Sequence, residues 1–393
     1  MQVLKFNFFL LSLMGVWKPR GWSGIRAFLY NGYQVFVIIV NLIFILSNLM
    51  DFKLENFNLE AFADSLSLVF ALSIVQKKIN CVIENRTSIT HFIDLLYKNP
   101  FKFQDHQEQL IFSQFDKFAR SVFTSYVVAH TGFLSIYSLG RMTLMDPPYT
   151  LPYNGWFPYN YTYTPKSYWM TAAFQFYAVF SLGVIDLLLD LLLPCIMCYM
   201  CGHIHILRYR FQVMTEKLLL MSENNKSPEE IINAERKMMP KWVEYHIDIL
   251  CLVKFANEIF SSVIFIQFTS SSLLLCIIAY LLAHTEPTTM NFAGNLGFFF
   301  SMVIQILLPC YCADKLTFEV NILIYNTEFL TINAEKKVYR LTLRVSLKTS
   351  CCFRAPRKNC CGYIFELENI FVCRFFRKNR FYHFFSNDVS QTH

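Results

Sequence analysis

The chain has 393 residues, of which 54% are hydrophobic and only 16% charged, with 41 Phe and a formal net charge of +7. A soluble globular chain carries roughly 25% charged residues. Too little polar surface remains to cover a water-soluble body, so an integral membrane protein is the class to expect. The cations are scattered among apolar runs and form no basic domain, which excludes nucleic acid as the expected partner.

The N-terminal FNFFLLSLMGVW is apolar but too short to span, and no small-residue cleavage site follows it. The first long span is therefore expected to act as the insertion signal. Six windows approach the roughly 20 apolar residues that a span needs. They lie near 27–50, 59–84, 118–140, 169–200, 256–283 and 292–313. Glu60 and Asp64 open the second window, and the fourth is long enough to project from a bilayer.

Flanking charge sets the orientation. Lys5, Lys18, Arg20 and Arg26 precede the first span with no acid, whereas Asp51, Glu55, Glu60 and Asp64 follow it against one Lys53. This predicts a cytoplasmic N-terminal segment over 1–26. Segments 77–117, 201–255 and 314 onward are then inside, and 142–167 and 284–291 outside. The outer 142–167 loop carries the sequon Asn160-Tyr161-Thr162, a candidate glycosylation site. Sequons at Asn85 and Asn225 fall on predicted inner segments, so sequons alone do not decide the topology.

In EEIINAERKMMPKWVEYHIDILCLVKF, Ile232, Met239, Trp242, Val243, His246, Ile249, Leu250 and Val253 recur at helical spacing. The fourth and fifth spans are thus expected to continue as helices into the cytoplasm and to pack there. A further amphipathic stretch, KLTFEVNILIYNTEFL, follows the sixth span and predicts an inner helix over 314–350.

The polar residues of the spans are few. Asp186 and Asp190 stand four apart and share a helix face. Buried acids suggest a cation path or proton relay, but pairing with Lys or Arg of the inner segments is the preferred reading. His203 and His205 are two apart, so a helix sends them to different sides and a metal site is not expected. Most of the 13 Cys lie inside apolar runs and act as small hydrophobes. The doubled pairs Cys351–Cys352 and Cys360–Cys361 lack the CxxC spacing that zinc prefers and read as free or palmitoylated thiols. No HExxH, GxSxG, Walker or GxGxxG motif is present, and no nucleophile–base arrangement can be drawn, so neither an enzyme nor a cofactor is expected.

What remains is an aromatic helical bundle whose default function is to hold a small, largely apolar ligand between its helices. Phe70, Phe133, Tyr137, Phe174, Tyr177, Phe298 and Phe299 fall in the outer halves of their spans and are the candidate lining residues. His130, in the third span, is a candidate for hydrogen-bonding a polar ligand, or equally a neighbouring helix.

NEIFSSVIFIQFTSSSLLLC, at 257–276, resembles the fifth span of insect odorant receptors. LSLMGVWKP resembles that family's pre-span helix, LPYNGWFPYNYTYTPKSYW its outer loop, and VIDLLLDLLLP with GHIHILRYR the end of its fourth span. YHIDILCLVKFANEIF and LLPCYCADKLTFEVNILIYNTEFL, with Tyr325, resemble its fifth-span entry and its inner helix, so the resemblance covers about 8–345.

The resemblance implies an all-α polytopic bundle of seven transmembrane helices with the N-terminus inside, the inverse of G-protein-coupled receptors. It implies a plasma-membrane subunit of an odour-gated, nonselective cation channel in olfactory sensory neurons, assembled with an obligate co-receptor as a heterotetramer within membrane lipid. A small volatile odorant would bind in the outer half of the bundle, among the second, third, fourth and sixth spans. Cytoplasmic extensions would form an anchor domain, and a seventh span within 351–393 would line the pore.

FELENIFV resembles the start of that seventh span, but CRFFRKNRFYHFF follows, with Arg374, Arg377, Lys378 and Arg380. Four mid-bilayer cations cost roughly 10 kcal/mol on insertion scales, against tenths of a kcal/mol gained from each Phe. Three readings stand. The segment inserts with its cations facing a pore, which would repel cations; it lies on the inner surface as a basic aromatic segment; or it is a decayed or misjoined end, which the equally off-pattern CCFRAPRKNCC favours. Other functions weighed are a gustatory-type receptor channel, a non-conducting receptor remnant, and a secondary transporter. The last should show paired, broken spans in two halves, and none is found.

Overall fold

The computed structural model of the chain describes residues 2–51, 59–143, 150–153 and 155–337. Among them are eight helices and no strand: α1 (Gln2–Leu13), α2 (Gly24–Asp51), α3 (Leu59–Glu84), α4 (Arg86–Leu96), α5 (His106–Thr143), α6 (Pro165–Glu223), α7 (Pro228–His284) and α8 (Met290–Lys337). The predicted seventh span and the end of the predicted 314–350 helix lie outside the described residues. Among the described residues, six helices are long and apolar enough to cross a membrane, in α2, α3, α5, α6, α7 and α8. The helices outrun the predicted windows. α6 and α7 have 59 and 57 residues, about 85–90 Å each at 1.5 Å per residue, against a hydrocarbon core of about 30 Å.

The described chain divides into two compact units. One comprises Met1–Arg86, Ala119–Cys195 and Ser261–Leu308. In it, α2 is apolar on the outside and polar within. Ile25 and Phe28 are each 76% exposed, while Asn41 and Asn48 are 0% and 1% exposed. That inversion suits a hydrocarbon solvent, where polar groups must be satisfied inside the protein. α1, too short to cross, stops at a Schellman turn. Gly15 takes φ +78°, Val16 N donates to Leu11 O at 2.9 Å, and Gly15 N donates to Ser12 O at 3.2 Å. The turn leaves carbonyls for α2 to bind. Tyr30 OH lies 2.8 Å from Ser12 O and 3.0 Å from Trp17 O, which share its one proton, and Tyr33 OH donates to Leu13 O. Arg86 closes the corner, lying over the Trp17 ring at 5.5 Å and donating to Lys18 O at 2.6 Å.

The other unit comprises Thr87–Phe118, Ile196–Phe260 and the described residues from Pro309 to Lys337. Its part of α6 packs on its part of α7. Trp242 Nε1 donates to Leu207 O at 2.9 Å, and the Trp242 and Phe211 rings lie 5.0 Å apart. The buried stripe of α7 runs Ile231, Glu235, Met239, Trp242, Tyr245, Ile249, Leu252. It is rotated slightly from the predicted stripe, because Tyr245 buries its ring against His203 and so counts as core. Buried Glu108 receives Arg210 in a two-pronged pair at 2.7 and 2.9 Å, and the guanidinium covers the Tyr245 ring at 4.3 Å.

Candidate functional site

A cavity of about 180 Å³ opens inside the first unit. Helical periodicity builds its walls. Leu68, Ala71, Leu72 and Val75 of α3 face it, as do His130, Phe133, Leu134 and Tyr137 of α5. α6 gives Val179, Leu182, Gly183 and Asp186, and α8 gives Gly294, Phe298, Ser301, Met302 and Gln305. Each set recurs at three- and four-residue steps, which is one face of one helix. From Gly294 to Gln305 the α8 face extends about 16 Å, so the cavity is long and narrow. Asn48, at the end of α2, Ser65 and Ser67 of α3, Asn295 of α8 and Tyr153 also line it.

Aromatic rings form the middle of the cavity. Phe133 and Tyr137 stack 6.0 Å apart with planes 8° from parallel. Glycines on α8 seat them: a Cβ built at Gly297 would fall on the Phe133 ring, and one at Gly294 on the Tyr137 ring. On α6, a Cβ at Gly183 would come within 2.7 Å of Leu134 Cδ2. Below the rings the lining turns polar. Ser301 Oγ and His130 Nδ1 are 3.1 Å apart.

Asp186 is the charged residue of the wall. Its Oδ2 accepts from Gln305 Nε2 at 2.9 Å, and Gln267 Nε2 donates to Gln305 Oε1 at 3.2 Å and to Ser271 Oγ at 2.9 Å. Lys78, 2% exposed, reaches Asp186 Oδ1 at 2.6 Å and Asp190 Oδ1 at 2.7 Å. The two acids therefore pair, as preferred from the sequence, and their partner is Lys78, at the start of the predicted inner segment 77–117.

Of the eight residues proposed from sequence as ligand contacts, His130, Phe133, Tyr137 and Phe298 meet at this cavity. The others lie elsewhere. Phe70 and Phe299 pack against the buried cluster of Ile74, Leu274, Ile278 and Met302. Phe174 rests edge-on against Phe44 and Phe157, and Tyr177 is 41% exposed. Asn48, Asp186, Ser301 and Gln305 line the cavity without having been proposed as ligand contacts. Their signal was a single polar side chain within an apolar run. Asn160 is exposed, and its Oδ1 accepts from Thr162 N at 3.0 Å and Thr162 Oγ1 at 2.7 Å.

Fold and site together define a polytopic helical membrane protein with an aromatic cavity within its bundle. A sequence model described as 7tm Odorant receptor matches residues 58–345. The chain belongs to the 7tm odorant receptor family. Odorant receptor 33b of Drosophila melanogaster is 25% identical over 219 residues, 55% of this chain and 54% of the relative, so the match spans about half of that receptor's length. Odorant receptor 94a of the same species is 24% identical over 335 residues, 82% of each chain. Among solved structures, the insect olfactory receptor OR5 from Machilis hrabei superposes with a TM-score of 0.71 at 14% identity, covering 96% of this chain and 98% of that one. The same receptor in complex with eugenol gives 0.65 at 14% identity, covering 94% and 98%. At this identity the likeness is one of fold.

Proposed function

We propose that this chain is the odour-sensing subunit of an odour-gated, nonselective cation channel, and that the cavity among α3, α5, α6 and α8 is where the odorant binds. The observation that carries the reading is the cavity itself, an aromatic-lined space of about 180 Å³ in a chain of the odorant receptor family. It is supported by a structure of the same fold solved with eugenol. The subunit works in the plasma membrane of olfactory sensory neurons with its N-terminus in the cytoplasm, assembled with an obligate co-receptor as a heterotetramer, and it carries out no catalysis. A ligand gates by binding the open state more tightly than the closed one. Voltage-clamp recording tests the assembly. Odour-evoked inward current should require both this chain and the co-receptor. Current from this chain alone would favour the gustatory-type arrangement.

A second reading has its own observation, the four cations of CRFFRKNRFYHFF. On that reading the chain binds odorant without lining a pore. An epitope after His393 should be stained on intact cells if the segment crosses the membrane. Staining only after permeabilisation, with a tag in the 142–167 loop confirming delivery to the surface, would support the non-conducting form.

A further inference from the structure

Among the described residues, the wall of the cavity carries one formally charged side chain, Asp186, and the charges behind it do not balance. Lys78 offers a single positive charge to two carboxylates, at 2.6 and 2.7 Å. The Lys78, Asp186 and Asp190 side chains are 2%, 13% and 9% exposed. With both carboxylates ionised, one negative charge is left over, and an unmatched charge within a membrane protein is costly.

A second observation is independent of the charges. Asn48 is 1% exposed and lines the same cavity. Its Nδ2 donates to Phe44 O at 2.8 Å, which fixes the orientation of the amide, and its Oδ1 has no hydrogen-bond partner. Asn48 Oδ1, buried behind the lining, therefore adds an unmatched negative dipole to the charge of Asp186, and both favour a cation in the cavity. The third observation is the aromatic middle. Phe133, Tyr137 and Phe298 line the same cavity, and aromatic rings attract a cation through their negative quadrupole.

We propose that the preferred ligands of this cavity are small amines taken up as ammonium ions. Their N–H groups meet Asp186, and their apolar body lies along Phe133, Tyr137 and Phe298. The proposal rests on reading the cavity as the odorant site. The ammonium supplies the positive charge that Lys78 alone does not. A proton held by either carboxylate would discharge the same excess and leave the site indifferent to ligand charge.

Binding to the full-length chain in lipid nanodiscs separates these cases, using 2-phenylethylamine and 2-phenylethanol, which share a carbon skeleton. Titration calorimetry at neutral pH should give saturable amine binding about tenfold or more tighter than that of the alcohol. The D186N variant should lose that preference. Should D186N fail to fold, the unaltered chain still decides the matter. Equal affinities, tighter alcohol binding, or no saturable amine binding would overturn the proposal. Current recorded with the co-receptor distinguishes it from the receptor reading. Alcohols or esters that gate without any amine preference remove the amine assignment and leave the receptor. Amine binding with no current to any odour leaves the assignment and removes the channel.

Discussion

Gly294 and Gly297 fix two aromatic rings by what they lack. Each leaves the space on α8 that a ring of α5 occupies. Gly297→Ala should push Phe133 into the cavity, at an overpacking cost of about 1–3 kcal/mol. The expected result is a lower thermal midpoint in detergent together with a weaker odour response. A midpoint and response equal to those of the unaltered chain would contradict this placement. Lys78 is the other decisive residue. Lys78→Met strands two buried carboxylates and should destabilise by about 3–5 kcal/mol, read as lost surface delivery. Adding Asp186→Asn and Asp190→Asn should restore delivery, since all three charges are then gone. A triple variant no better than the single one would show that the ion pairs are not the cause.

These residues also mark how far the sequence can be read. Phe298 and Phe299 are neighbours in an apolar run, yet only Phe298 faces the cavity. Composition locates both in the outer half of a span, but the rotation of α8 is set by what packs on its other faces. The cavity face of α6 runs Val179, Leu182, Gly183, Asp186, which leaves Phe174 and Tyr177 on other sides of that helix. The partner of Asp186 and Asp190 is 108 residues from the first of them, a separation that no local pattern reports.

At the scale of elements, hydropathy was a good guide to the six spans among the described residues and a poor one to where their helices end, and it gave no sign of α4. The third window was placed near 118–140, but the helix begins at His106. The reason is solvent. Glu108 belongs to the helix although no bilayer would hold it, because Arg210 satisfies it. Charge ended the window without ending the helix. The α1 to α2 corner depends on Gly15, which combines φ +78° with 3.1 Å of clearance to Tyr33 Cε1 and Val37 Cγ2. Gly15→Ala meets both penalties and should cost upward of about 1 kcal/mol. Hydrogen exchange should then quicken across residues 2–17 and leave α3 unchanged. Equal exchange in the two proteins would place the corner's strength elsewhere.

For the whole molecule, topology and function are separate claims with separate tests. Asn160 is exposed with its sequon threonine already hydrogen-bonded to it. If residues 142–167 are extracellular, the protein should carry a glycan that Asn160→Gln removes, seen as a shift to faster migration equal to that produced by glycosidase. A glycan retained in that variant would move the modification to Asn85 or Asn225 and reverse the proposed orientation.

The claim that odour acts through the cavity is tested most directly by filling it. Ala71 lines the cavity from α3, and Ala71→Trp would place an indole where the ligand is proposed to bind. Cells expressing either version with the co-receptor would be recorded under an odour panel that includes amines, after surface staining has matched their delivery. The unaltered chain should give odour-evoked inward current and the filled one little or none. Equal currents from the two, or a surface-delivered unaltered chain that answers no odour, would contradict the cavity as the site of odour detection.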